Sequence, residues 1–328
     1  MKNTVKSLFL IALLLLLASG TMQAERWVGD PAKRAKATAK AGSAKCLSAT
    51  NSNELTINNV RAYIETNGTM WNKELAEYEV PKGSGKCSMF AAALWIGGLD
   101  ENDQLRVAAL RFGQAGDDFW PGPLTVDGNA SVNKSVCDEW DKIYSITKAE
   151  VQAFVASFEY DATGNVIGYD PELLTDAIRT WPAHGNTDLG QSKFLAPYYD
   201  QNKNGVYEPE SGDYPYYDFD GVLCPAKIKA NLPAGSAYTP TPTMESDTIN
   251  PNYGTGGNPA TGGLLVDQVL KGDQTLWWIF NDKGNAHTES GSENPIGLEI
   301  RAQAFAFTMN NEINNIQQSV QFRSRNVF

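Results

Sequence analysis

Asp200, Asn202 and Asn204 place side-chain oxygens on alternate positions of one short run, and Gly205 follows where such a run must turn back. One carboxylate and two carboxamides spaced in this way can converge on a hard cation that takes about six to eight oxygen ligands. The chemistry they suggest is Ca2+ binding. With Asp200 as the first position, Val206 is the seventh and would offer its backbone carbonyl. Glu208, the ninth, would ligate directly or through water, and Glu210 is a weaker candidate. An EF-hand closes on a bidentate Glu at its twelfth position, where this chain has Ser211. Asp213, two places later, is the expected closing carboxylate after a turn at 209–212. The predicted ligand set is Asp200, Asn202, Asn204, Val206, Glu208 and Asp213. Two neutral Asn ligands lower the charge of the set and suit millimolar extracellular Ca2+. The competing reading is a solvated, Asx-rich turn with no ion. Asp218-Phe219-Asp220-Gly221 reads as a turn, or as one more carboxylate for the same ion.

Other reactive constellations are thin. The chain has two histidines, His184 and His287, too few for a three-His zinc site. His287 lies near Ser290, but no G-x-S-x-G surrounds a serine, so both histidines read as surface or hydrogen-bonded residues. Gly83-Ser84-Gly85-Lys86 lacks the earlier glycine of a P-loop and has Cys87 where Ser or Thr would hold Mg2+. Paired carboxylates could serve a glycosidase, yet 38 acidic residues supply pairs by number alone. Trp120, Trp181, Trp277 and Trp278, with the tyrosines around 198–219, read as core, with a sugar-stacking platform as the alternative. Asn67, Asn129 and Asn133 match the N-x-[ST] sequon, which matters only in a host that glycosylates.

The N-terminus reads as an export signal. Lys2 and Lys6 precede an apolar run at 8–17 and then small residues, the order of a secretory signal peptide. Cleavage is expected after Ala24, with Gly20 as the alternative point, and no cysteine nearby suggests a lipid-anchored form. The 8–17 run is short for a membrane span, and no later stretch is apolar enough, so no integral membrane segment is expected after cleavage. Cys46, Cys87, Cys137 and Cys224 allow three pairings into two disulfides in an exported chain, against a reading as buried thiols. The chain carries 27 basic and 38 acidic residues, net −11. Residues 1–46 hold eight of the basic and two of the acidic ones, which leaves a body of net −17. Such a body repels nucleic acid and anionic membranes and favours cations.

Leu55, Ile57, Val60, Ala62 and Ile64 alternate roughly, as a strand ended by Asn67-Gly68. The run at 89–96, the turn around Gly97-Gly98 and 100–103, and the run at 105–112 make a β-hairpin signature. Thr147 and Glu150 form a capping box, and Val151, Phe154, Val155 and Phe158 make one apolar helical face. A second helix is predicted from Asp170-Pro171 to Ile178, stopped by Pro182. Residues 231–263 are rich in Pro, Thr, Gly and Asn and read as a long flexible loop. Strands return at 274–280 and 298–307, and 316–328 reads as an irregular tail of a truncated or frame-disrupted product.

Several of these stretches resemble a known group. They include Asn59-Val-Arg-Ala62, Ser88-Met-Phe90, Ala93-Leu-Trp-Ile-Gly-Gly98, Asp118-Phe-Trp-Pro-Gly-Pro123, the segment 199–215, Gly272-Asp-Gln-Thr-Leu-Trp-Trp278 and Phe280-Asn-Asp-Lys-Gly-Asn285. Over about 55–312 the chain resembles the N-terminal region of secreted Bacteroidetes proteins of the type IX secretion system, which are sorting-domain-containing and adhesin-like. The resemblance implies a secreted or cell-surface protein with a calcium loop, and carries over Asp200, Asn202, Asn204 and Asp213 as ligands.

The expected fold is mainly β: a sandwich-like β-domain with an inserted helical segment and an EF-hand-like calcium loop. Its expected organisation is a signal peptide at 1–24, a flexible basic linker at 25–50, a β-rich domain at 51–315 with its helical insert at 145–182, and the tail. The expected function is a non-catalytic, calcium-stabilised, adhesin-like or structural surface protein exported through the periplasm. Its expected partner is a cell-surface, extracellular-matrix or glycan ligand, not nucleic acid. The alternatives are a carbohydrate-binding module using exposed aromatics and a hydrolase of extracellular polymers.

Overall fold

Apolar runs broken by Asn, Asp and Gly turns give this chain many short strands. The computed structural model describes residues 46–72, 76–100, 102–111, 116–202, 204–217, 219, 269–292, 294–308 and 318–326. The predicted signal peptide, the 231–263 loop, Asp218, Asp220 and Cys224 lie outside them. The strands begin with β1 (Ser52–Leu55), β2 (Arg61–Glu65), β3 (Tyr78–Glu79), β4 (Cys87–Met89), β5 (Trp95–Leu99), β6 (Leu105–Ala109) and β7 (Trp120–Pro121). Helix α1 (Lys134–Trp140), β8 (Tyr144–Thr147), α2 (Lys148–Ala156), β9 (Glu159–Tyr160), β10 (Val166–Gly168) and α3 (Asp176–Arg179) follow. The last strands are β11 (Tyr198–Tyr199), β12 (Tyr214–Pro215), β13 (Gln274–Asn281), β14 (Leu298–Ala306) and β15 (Gln318–Asn326).

Strand therefore outweighs helix, in several small sheets. The largest has the order β15-β14-β13-β7, with β8 also paired to β13. Every residue of β13 is buried, and alternation sends its side chains to two cores. Leu276, Trp278 and Phe280 meet Leu55, Ala62 and Ile64 of the sheet β1-β2-β3-β4, together with Ile300, Ala302 and Ala304 of β14. Trp277 and Ile279 face the helical side, against Trp140, Val151, Phe154, Ile178 and Trp181. The small Ala302 and Ala304 of β14 lie opposite Trp278 and Leu276, which leaves room for the larger partners.

Local signals explain most elements. The alternating run at 55–64 divides into β1 and β2, because Asn58 turns the chain and its Oδ1 accepts the Val60 N–H at 2.9 Å. Asp100 closes the β5–β6 hairpin by accepting the N–H groups of Asn102 and Gln104, each at 2.9 Å. Thr147 caps α2 through the Glu150 N–H at 3.2 Å. The second predicted helix is shorter than expected. Asp170 accepts the Glu172 N–H in a turn, and α3 starts only after the Thr175 cap. The irregular tail is also corrected: β15 pairs with the whole of β14, an extended ladder that a polar sequence without rhythm does not advertise.

Cys46 and Cys137 form a disulfide across 91 residues and tie the start of the described chain to α1. Cys87 is unbonded and exposed. A crosslink over so long a loop removes much unfolded-state entropy, about 4.6 kcal/mol in the chain-entropy account. Cys137→Ser is therefore expected to lower stability in urea by about this amount. A midpoint equal to wild type under non-reducing conditions would show that the bond contributes nothing.

Candidate metal centre

Two short strands set the geometry of the 200–213 loop. Tyr198 pairs with Pro215 and Tyr199 with Tyr214, so the next positions, Asp200 and Asp213, face each other across the mouth of the loop. The tyrosines are fixed by packing. Tyr198 is fully buried, Tyr199 stacks on Tyr214 with ring centroids 4.9 Å apart, and Tyr207 crosses Tyr198 edge-on at 5.4 Å. Strands, not the helices of an EF-hand, frame this loop, and a single 3-10 turn at Pro209–Ser211 brings the chain back to Asp213.

Both aspartates are completely buried. The two oxygens of Asp200 accept the N–H groups of Asn204 at 3.2 Å and Gly205 at 2.7 Å. Those of Asp213 accept the N–H groups of Gln201 at 2.8 Å and Glu208 at 2.7 Å. Gly205 has φ +71, and a Cβ there would sit 3.1 Å from the Lys193 Nζ. Gly212 has φ +100, and a Cβ would lie 2.6 Å from the Val166 side chain. Both turns require glycine.

The remaining predicted ligands fall in the same loop with differing roles. Asn202 Oδ1 accepts the Asn204 N–H at 3.0 Å, and Asn204 Oδ1 accepts the Val206 N–H at 2.7 Å. Glu208 Oε2 accepts the amide groups of Asn204 at 2.7 Å and Asn202 at 3.4 Å. Val206 exposes its side chain, which leaves only its backbone to contribute. Glu210 points away and pairs with Arg179 at 2.5 Å. No group of three or more His, Cys, Asp or Glu side chains placed to hold a metal occurs among the described residues. A cation here would rely on Asp200 and Asp213 with amide and carbonyl oxygens, an all-oxygen set that fits Ca2+ and not zinc.

Sequence reasoning missed the support that His184 gives. Its Nδ1 lies 2.7 Å from the Lys193 carbonyl, and its Nε2 accepts the Tyr207 N–H at 2.9 Å. These partners require a neutral ring protonated on Nδ1, and burial also lowers the His184 pKa. Tyr207 in turn donates to the Ile178 carbonyl at 2.7 Å, which links the loop to α3. Such contacts between distant segments leave no local sequence signal.

His287 is a buried structural residue, 2.8 Å from the Val107 carbonyl through Nδ1 and 2.7 Å from the Asp282 carbonyl through Nε2. Ser290 Oγ donates to the Val107 carbonyl, not to the imidazole, so this Ser and His do not form a nucleophile–base pair. Trp120, Trp181, Trp277 and Trp278 are all buried and form no exposed platform. No protein-family model, curated protein or solved structure matches the chain.

Asp213 carries the electrostatic signature of the loop. Burial pushes its pKa up to about 6, and the charges of Asp200 and Glu208 add to the rise while the two backbone donors oppose it. An unfolded Asp titrates near about 3.9, so the folded, ion-free chain holds this proton more tightly. Ionisation of Asp213 then opposes folding. Its penalty is absent below the unfolded pKa, grows as pH rises, and is complete above about 6. In EDTA, wild type is expected to lose about 2 kcal/mol relative to Asp213→Asn between about pH 4.5 and 7 in urea unfolding. A constant difference across that range would contradict it.

Proposed function

We propose that this chain is an exported, non-catalytic surface protein, adhesin-like or structural, in which Ca2+ clamps the 200–213 loop. One observation carries the proposal: Asp200 and Asp213 are buried face to face, and no salt bridge reaches either among the described residues. A buried carboxylate pair is costly unless a cation or a proton compensates it. The raised pKa of Asp213 means that its two N–H donors do not offset the cost. Bound Ca2+ would supply the missing positive charge at the loop mouth. Asp200 and Asp213 would hold it, with Asn202, Asn204, the Val206 carbonyl and Glu208 completing the set.

The role is structural by position. The loop joins β11 to β12 and reaches α3 through Tyr207, so the ion would rigidify a surface segment beside the helical core. The packing of β1 and β2 against β13 and β14 supports a sandwich-like arrangement of the two larger sheets. The resemblance to type IX secretion proteins and the secretory pattern of the first 24 residues support export. Extracellular millimolar Ca2+ would keep a weak site filled.

Thermal unfolding in Ca2+ and in EDTA tests the proposal. At a free concentration of about 100 times Kd, the ion is expected to add about 2.7 kcal/mol. Asp213→Ala is expected to abolish that increment while still folding in EDTA. Equal melting of wild type in the two buffers, with no heat on titration at millimolar Ca2+, would refute a calcium clamp.

A further inference from the structure

A second site lies away from the calcium loop, between β8 and α3. A cavity of about 490 Å3 opens there, lined by Lys142, Ile143, Tyr144, Ser145, Ala177 and Thr180. Strand β8 pairs with β13 on one side, and no strand covers its other side among the described residues. The Lys148 N–H donates to the Asp273 carbonyl at 2.9 Å, in line with the register of β8 on β13. Hydrogen bonding alternates along an antiparallel pair, so Ile146 bonds to β13 and Ser145 turns its N–H and C=O outward, to the side of the cavity.

The lining is rich in unused polar capacity. The Tyr144 hydroxyl makes no hydrogen bond to a described protein group and is not sealed in the interior, whereas the Ser145 side chain alternates to the opposite face and that residue offers the cavity only its outward backbone N–H and C=O. Lys142 is exposed and belongs to no salt bridge among the described residues. Thr180 Oγ1 donates to the Asp176 carbonyl at 2.7 Å and keeps its lone pairs. Ile143 and Ala177 add apolar flanks.

The Tyr144 ring is also held in place. Its centroid is 6.3 Å from Trp140, 6.5 Å from Trp181 and 6.3 Å from Trp277. Burial, and then the charge of Glu139, push the Tyr144 pKa up to about 12, which keeps the phenol a neutral donor at physiological pH. A fixed aromatic ring with several unpartnered donors and acceptors, in a cavity of a few hundred Å3, matches a small ligand dense in hydroxyl groups. The net charge of −11 and the nearby Glu139 disfavour an anion.

We propose that the cavity between β8 and α3 binds a neutral sugar ring, a hexose or N-acetylhexosamine unit, through the side chains of Tyr144, Lys142 and Thr180 and the backbone of Ser145. The site gives the surface protein a glycan ligand, and in that respect it deepens the adhesin-like reading. It does not depend on the ion, so failure at either place leaves the other standing.

The test uses the full chain in EDTA and in Ca2+, with tryptophan fluorescence as readout, since Trp140, Trp181 and Trp277 pack on Tyr144. D-glucose, D-galactose, D-mannose and N-acetyl-D-glucosamine are titrated alongside D-glucuronate. At least one neutral sugar is expected to bind with Kd on the order of 1 mM. Tyr144→Phe and Lys142→Gln are each expected to weaken it about 3- to 10-fold, the worth of one hydrogen bond. Their melting temperatures should match wild type, because the groups removed have no described protein partner. No response to any neutral sugar would overturn the proposal, as would binding that both variants leave unchanged. Glucuronate binding about tenfold tighter than every neutral sugar would overturn the neutral class.

Discussion

Strand β13 must satisfy two cores and two hydrogen-bonding edges at once, because all eight of its residues are buried. Leu276, Trp278 and Phe280 fill the space under β1 and β2, while Trp277 and Ile279 anchor the helical side. Its edges are shared as well: β14 takes one, and β7 and β8 divide the other. Removing a buried aromatic from such a strand leaves a cavity that neither layer can close, at a cost of about 3–5 kcal/mol. The remaining elements are arranged around this constraint.

Both candidate sites lie on the helical side of that strand. The cavity lies along the free edge of β8, which ends in the cap of α2 and has α3 beside it. The 200–213 loop is further out. It is held by Tyr198 and Tyr207 against His184 and the carbonyl of Ile178, and so communicates with α3. Glycines at 205 and 212 let the chain fold tightly enough to bury two aspartates without a helix on either flank.

The parts legible in the sequence are those fixed by near neighbours. The Thr147–Glu150 cap, the β5–β6 turn at Asp100 and the apolar runs of β13 and β14 all depend on residues a few places apart. The D-x-N-x-N-G run likewise announces a tight oxygen-lined turn, and the structure brings Asp213 back to Asp200. Helix α1 carries a weak signal, with only Val136, Cys137 and Trp140 buried and Asn133 as its cap. Strands β11 and β12 have two residues each, too few for a period, and exist through pairing across the loop. The Tyr144 cluster is assembled from four separated segments, so no window of the sequence contains it.

Terbium luminescence addresses directly whether a cation sits between Asp200 and Asp213. Tyr199 and Tyr214 adjoin the two carboxylates and can sensitise a bound Tb3+ ion, which takes the same hard oxygen ligands as Ca2+. Tyrosine-sensitised emission is expected that Ca2+ displaces and that Asp200→Asn with Asp213→Asn eliminates. Emission that persists in this double variant, or none from wild type at saturating Tb3+, would contradict it.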